Sequence, residues 1–134
     1  MHELIQSVVE RTGYPVLTAD DYDDWLAQPG WQMVYFGGDP KRYPEALDVI
    51  VVLPELHKAF PQFAIAVVDP KHERTLAKRY GFSLWPTLVF LKDGQYVDMI
   101  SRVQNWDEYL SQINVILTKS PTRPPSIGIP VSTQ

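Results

Sequence analysis

Tyr80-Gly81-Phe82-Ser83-Leu84-Trp85-Pro86-Thr87-Leu88-Val89-Phe90-Leu91-Lys92-Asp93-Gly94 is the stretch on which the fold turns. Its right-hand end is the plainest part. Thr87 to Leu91 and Tyr96 to Ile100 are short β-prone runs on either side of Lys92-Asp93-Gly94-Gln95. An Asp-Gly pair tolerates the positive φ angles of a tight turn, so the two runs predict a β-hairpin. At the left-hand end, Gly81 is a natural stop for an amphipathic helix running from Lys71 to Tyr80.

Working outward, helices and strands alternate upstream. Leu4, Ile5, Val8 and Val9 form an apolar stripe at helical spacing that ends near Thr12-Gly13. Tyr14 to Leu17 reads as a short extended segment restricted by Pro15. Asp20 or Asp21 can cap a short helix carrying Tyr22, Trp25 and Leu26, closed by Pro29-Gly30. Trp31 to Phe36 is a buried strand broken by Gly37-Gly38-Asp39-Pro40. A helix follows from about Pro44 to Phe60, with Leu47, Ile50, Leu53, Leu56 and Phe60 inward and a kink at Pro54, which lacks an amide hydrogen. Phe63 to Val68 is a continuous apolar strand. Downstream of the hairpin, Asn105 and Glu108 form a capping-box pair for a last helix that buries Leu110, Ile113 and Leu117. The whole predicts an α/β fold, a mixed central β-sheet with helices on both faces. Residues 1–118 make one domain. Residues 119–134 hold four of the twelve prolines with Ser and Thr between them, and predict a flexible C-terminal tail.

Composition narrows the function. Among 134 residues, 12 are basic and 16 acidic, a net charge of −4, which speaks against a nucleic-acid-binding surface. No apolar run approaches the roughly 20 residues of a membrane helix, and the start lacks the pattern of a secretory signal. The chain contains no cysteine, which excludes disulfides, thiolate metal sites and thiol chemistry. A cytoplasmic location follows as an expectation. His2, His57 and His72 share no metal-binding spacing, and no cofactor is indicated.

The stretch from Tyr80 to Gly94 resembles the second half of a thioredoxin. In that family a cis-proline precedes the antiparallel hairpin in a Pro-Thr-aliphatic run, and Pro86 matches it; the plain alternative is a trans proline opening an edge strand. The resemblance spans about Asp20 to Leu117 and implies a thioredoxin-like fold. The other half departs from the family. Where thioredoxins carry Cys-x-x-Cys, this chain has Gly37-Gly38-Asp39-Pro40-Lys41-Arg42-Tyr43-Pro44, and Val34 aligns with their buried carboxylate. Disulfide exchange needs a thiolate, so a dithiol oxidoreductase is excluded.

A narrower match rests on Asp23-Asp24-Trp25-Leu26, Asp39-Pro40-Lys41-Arg42-Tyr43-Pro44-Glu45, Pro86-Thr87-Leu88-Val89-Phe90 and the Trp that opens the last helix. These resemble the cysteine-free, thioredoxin-like hydrogenase expression/formation proteins of the HyaE/HupG/HoxO type. The resemblance implies a non-enzymatic chaperone of [NiFe]-hydrogenase maturation that binds the twin-arginine signal region of the small-subunit precursor. The competing reading is a scaffold that joins maturation factors without touching the export signal.

Two patches are candidates for contact. Gly38, Asp39, Lys41 and Arg42 lie where a thioredoxin does its chemistry, and Phe82, Trp85 and Pro86 lie where it offers backbone groups to an extended peptide. Equally, Asp39 and Pro44 can start a helix with the charges solvated, and Trp85 can be core. Asp20, Asp21, Asp23 and Asp24 form an acidic patch suited to a pair of arginines; aspartates at a helix start also cap it and complement its dipole.

Overall fold

The protein is seen here as a computed structural model that describes residues 1–125. Five strands form one mixed sheet in the order β1-β3-β2-β4-β5: β1 (Val16–Leu17), β2 (Trp31–Phe36), β3 (Ala64–Val68), β4 (Thr87–Lys92) and β5 (Gln95–Ser101). β1 and β2 run parallel to β3, whereas β4 is antiparallel to β2 and to β5. The Asp93-Gly94 turn joins the hairpin as its residue types require, with φ of 52° and 78°. Pro15 has no N–H to give the ladder, so β1 is confined to two residues; the Pro15 carbonyl still accepts a bond from Val67.

Side-chain alternation along the central strands builds a core on each face. Met33, Tyr35, Ile65, Val67, Leu88 and Phe90 point to one side. There they meet α1 (Glu3–Thr12), α3 (Glu45–Ala59) and α5 (Trp106–Ile116) through Ile5, Val8, Ile50, Leu53 and Ile113. Val34, Phe36, Ala66, Val68 and Val89 point to the other side, against α2 (Tyr22–Leu26) and α4 (Glu73–Ala77). Strands buried on both faces read as continuous apolar runs, which is how β2 and β3 look in the sequence.

α3 runs continuously through Pro54. α5 starts with the anticipated capping box between Asn105 and Glu108, and it buries Tyr109 and Ile116 with Ile113, leaving Leu110 and Leu117 partly covered. The larger difference lies at α4. In place of one helix from Lys71 to Tyr80, a 3-10 turn covers Pro70–His72 and α4 follows for five residues. Asp69 causes this, because its side chain accepts from the Lys71 amide (2.9 Å) and its carbonyl from the His72 amide (2.8 Å). Glu73 opens α4 one turn before Leu76 and Ala77 and shares their inward face. Past α5, Lys119 pairs with Asp98 (2.6 Å), and the Thr122 amide donates to the Tyr96 carbonyl (2.8 Å) along β5. Residues 126–134 of the proposed tail lie outside the described residues.

Candidate functional site

At one end of the sheet Phe36, the last residue of β2, pairs with Thr87, the first of β4. That pairing forces the loop after β2 and the turn before β4 to be neighbours. They form the two walls of a groove.

The first wall is the turn at Trp85-Pro86, whose peptide bond is cis. Pro86 is buried, and its carbonyl accepts the Arg102 amide at 2.7 Å. The Thr87 hydroxyl donates to the Leu84 carbonyl at 2.6 Å and lies 2.8 Å from the Ser101 hydroxyl. Trp85 is half-buried, its ring edge-on to Phe82 (5.1 Å between centroids) and tilted against Tyr43 (6.4 Å). Leu84 beside it is 53% exposed. Among the described residues, the Trp85 N–H and C=O hydrogen-bond to nothing else in the protein. A residue with both backbone groups free, next to a half-buried indole and an exposed leucine, suits pairing with an extended chain.

The second wall is the loop from Gly37 to Pro44. Gly37 and Gly38 leave two amides with no strand to bond, and both donate to the same oxygen of Glu73, Oε2, at 2.6 and 3.1 Å. Glu73 is the first residue of α4 and 6% exposed. Burial pushes its carboxyl up to about 7 despite the two amides, which favour the charged form; Asp69 adds to the rise. Gly38 sits at φ 77°, and a Cβ there would come within 2.9 Å of Tyr43 and 3.0 Å of Trp85, so this wall closes on the first only because residue 38 has no side chain. Asp39 shapes the rest of the loop. Its carboxylate accepts the Lys41 amide (3.0 Å), and its carbonyl accepts the amides of Arg42 and Tyr43.

Glu45, at the start of α3, fastens the far end of the groove. It accepts two bonds from the Arg102 guanidinium, the shorter 2.6 Å, and one from the Val103 amide at 3.1 Å. The guanidinium holds the Glu45 carboxyl below the usual range. Cavities of about 260 and 270 Å³ lie on the two sides of the Gly37–Gly38 turn, and Glu73 lines both.

Residues 4–109 match the family described as Hydrogenase-1 expression protein HyaE. The chain is 50% identical over 117 residues to the hydrogenase expression/formation protein HoxO of Azotobacter vinelandii, covering 87% of this chain and 79% of that one. It belongs to the HyaE family. A crystal structure of a putative hydrogenase expression/formation protein HupG from Rhodopseudomonas palustris superposes with a TM-score of 0.56 at 35% identity, over 78% of this chain and 95% of that one. Plasmodium falciparum thioredoxin superposes with a TM-score of 0.63 over 78% of this chain and 97% of its own, at 18% identity. The fold is thioredoxin-like.

In this HyaE-family chain the structure gathers Gly38, Asp39, Arg42 and Trp85 around one cavity. Lys41 is exposed on the same loop. Phe82 is 8% exposed and lies beneath Trp85, so it supports the groove floor instead of forming it. The acidic patch lies elsewhere. Asp23 pairs with Arg79 through two bonds of 2.5 and 3.1 Å on α2, and Asp21 accepts the Thr18 amide at 2.7 Å. None of Asp20, Asp21, Asp23 and Asp24 lines a cavity with Trp85. The three histidines are apart. His72 accepts the Ala19 amide, His57 meets the Tyr14 hydroxyl and His2 accepts the Leu4 amide. Among the described residues no group of three His, Asp or Glu is placed to hold a metal, and no helix is long and apolar enough to cross a membrane.

Sequence reasoning missed Glu73 and Tyr43. Glu73 stands at i, i+3, i+4, i+7 spacing with Leu76, Ala77 and Tyr80, so the helical pattern itself placed it on the inner face. A second signal was the pair Gly37-Gly38, since two amides at the end of a buried strand need an acceptor.

Proposed function

We propose that this protein is a non-enzymatic accessory chaperone in [NiFe]-hydrogenase maturation, and that the groove beside Trp85 holds the twin-arginine segment of the hydrogenase small-subunit precursor. The relatives named as hydrogenase expression/formation proteins support the first part. The second rests on one observation, the free backbone N–H and C=O of Trp85 beside its half-buried ring and the exposed Leu84. Strand-like pairing to those groups gives affinity, and the rings of Trp85 and Tyr43 with Leu84 receive the apolar residues of the segment. Chemistry has little to work with here. No thiol exists, and among the described residues Glu73 hydrogen-bonds to no hydroxyl; the nearby Tyr35 hydroxyl donates to the Ala46 carbonyl. Because recognition of an export segment precedes export, this work belongs in the cytoplasm.

A titration with precursor and with the mature, signal-free subunit tests this reading. The precursor should bind at least tenfold more tightly, about 1.4 kcal/mol. Trp85→Ala should cost roughly 2 kcal/mol of that binding, as an aromatic anchor does. Equal affinity for the two forms would favour the scaffold that joins maturation factors.

A further inference from the structure

The acidic patch is remote from the groove, and the cations Arg42, Lys71 and Arg74 line the cavity next to Trp85. A basic segment therefore needs its counter-charge elsewhere. The 260 Å³ cavity across the Gly37–Gly38 turn supplies one. Its lining includes apolar Ile5 and Val67, the acids Glu73 and Asp39, and Met1 with its amino group and His2 at the chain start, but no Lys or Arg. Oε2 of Glu73 is taken by two amides, while Oε1 accepts no hydrogen bond from the described residues. Among the described residues the one sealed side-chain polar atom without a partner is the Tyr109 hydroxyl, so Glu73 Oε1 still reaches solvent and stays open to a donor. The volume is just under the 300–1,000 Å³ of ordinary small-molecule pockets, so it suits one side chain and not a whole ligand. An aliphatic stem ending in a cation matches apolar walls with an acid at their end.

We propose that this cavity receives one basic side chain of a bound peptide, arginine or lysine, with Glu73 Oε1 as its counter-charge. It rests on the groove being a peptide site, and it adds the residue that reads charge. The groups facing Glu73 are the Met1 amino group and His2 ahead of α1, Tyr35 from β2, Asp39 from the loop, Asp69 and Lys71 before α4, and Arg42 and Arg74 on the Trp85 side.

Nuclear magnetic resonance on the full chain at pH 8 tests it with N-acetyl-arginine amide, N-acetyl-lysine amide and the neutral isostere N-acetyl-citrulline amide. The Gly37 and Gly38 amide resonances should move with arginine or lysine, whichever fits, and at least tenfold less with citrulline. Glu73→Gln should abolish the movement and weaken precursor binding tenfold or more. No movement with either cation, equal movement with citrulline, or movement surviving in a folded Glu73→Gln overturns the proposal. If Glu73→Gln does not fold, the citrulline comparison on the wild-type chain decides alone. Precursor binding that is normal in Glu73→Gln removes this site and leaves the proposed function standing. Equal binding of precursor and mature subunit removes that function, while the arginine and lysine titrations still decide the cavity.

Discussion

The two walls of the groove are fixed by different means. The Trp85–Thr87 wall is held by neutral groups: the Thr87 hydroxyl, the Leu84 and Pro86 carbonyls and the Arg102 amide. One carboxyl, Glu73, holds the Gly37–Gly38 wall through two amides, and burial brings its titration close to neutral pH. The first wall should be indifferent to pH across the physiological range. The second should not. A thioredoxin-like groove without thiols thus keeps a rigid side and a titratable side.

The largest expected effect comes from pushing the walls apart. Gly38→Ala places a Cβ against Tyr43 and Trp85 at positive φ, and it should destabilise by about 3 kcal/mol, since strain of this type costs roughly 1–3 kcal/mol before any clash. Chemical denaturation measures it; a loss under about 0.5 kcal/mol, the range of an ordinary surface substitution, would mean the walls do not meet there. Next is the pH profile. The folded state keeps the Glu73 proton up to about pH 7, whereas the unfolded chain releases it near 4.5. Between those values the folded state binds the extra proton, so stability from this group falls as pH rises through the window and levels off above it. Wild type should lose on the order of 2 kcal/mol relative to Glu73→Gln across that window. Asp23 and Glu45, both lowered by their arginines, act below it, where stability falls as pH drops. Parallel profiles for the two proteins would remove the distinction between the walls. The smallest effect sharpens the contrast. Thr87→Val should cost about 1 kcal/mol for the lost hydroxyl bonds, equally at every pH between about 5 and 8.

Much of the rigid wall was legible in the sequence, because its signals are local. The hairpin follows from Asp93-Gly94, and the proline turn from its resemblance to a thioredoxin segment. The alternating, doubly buried strands follow from runs such as Met33 to Phe36. The titratable wall was legible as a break at Gly37-Gly38 and as an acid, Glu73, on the apolar face of the following helix. What completes it is a contact between residues 36 positions apart, from Gly37 to Glu73. Helical periodicity puts Glu73 on the face of Leu76, Ala77 and Tyr80, but it does not say which amides meet the carboxyl there. The acidic patch shows the same limit of local signals. Its density was visible, but not that Arg79, 56 positions away, already occupies Asp23.

Amide hydrogen exchange at Trp85 tests the central claim most directly, with the free protein compared against the protein bound to the small-subunit precursor. In the free state the Trp85 amide has no partner among the described residues and should exchange quickly. Pairing with an extended segment should slow it at least tenfold, together with new protection limited to the loop from Gly37 to Pro44. An unchanged Trp85 amide in a saturated complex, with protection confined to another face such as the outer edge of β5, would contradict the account.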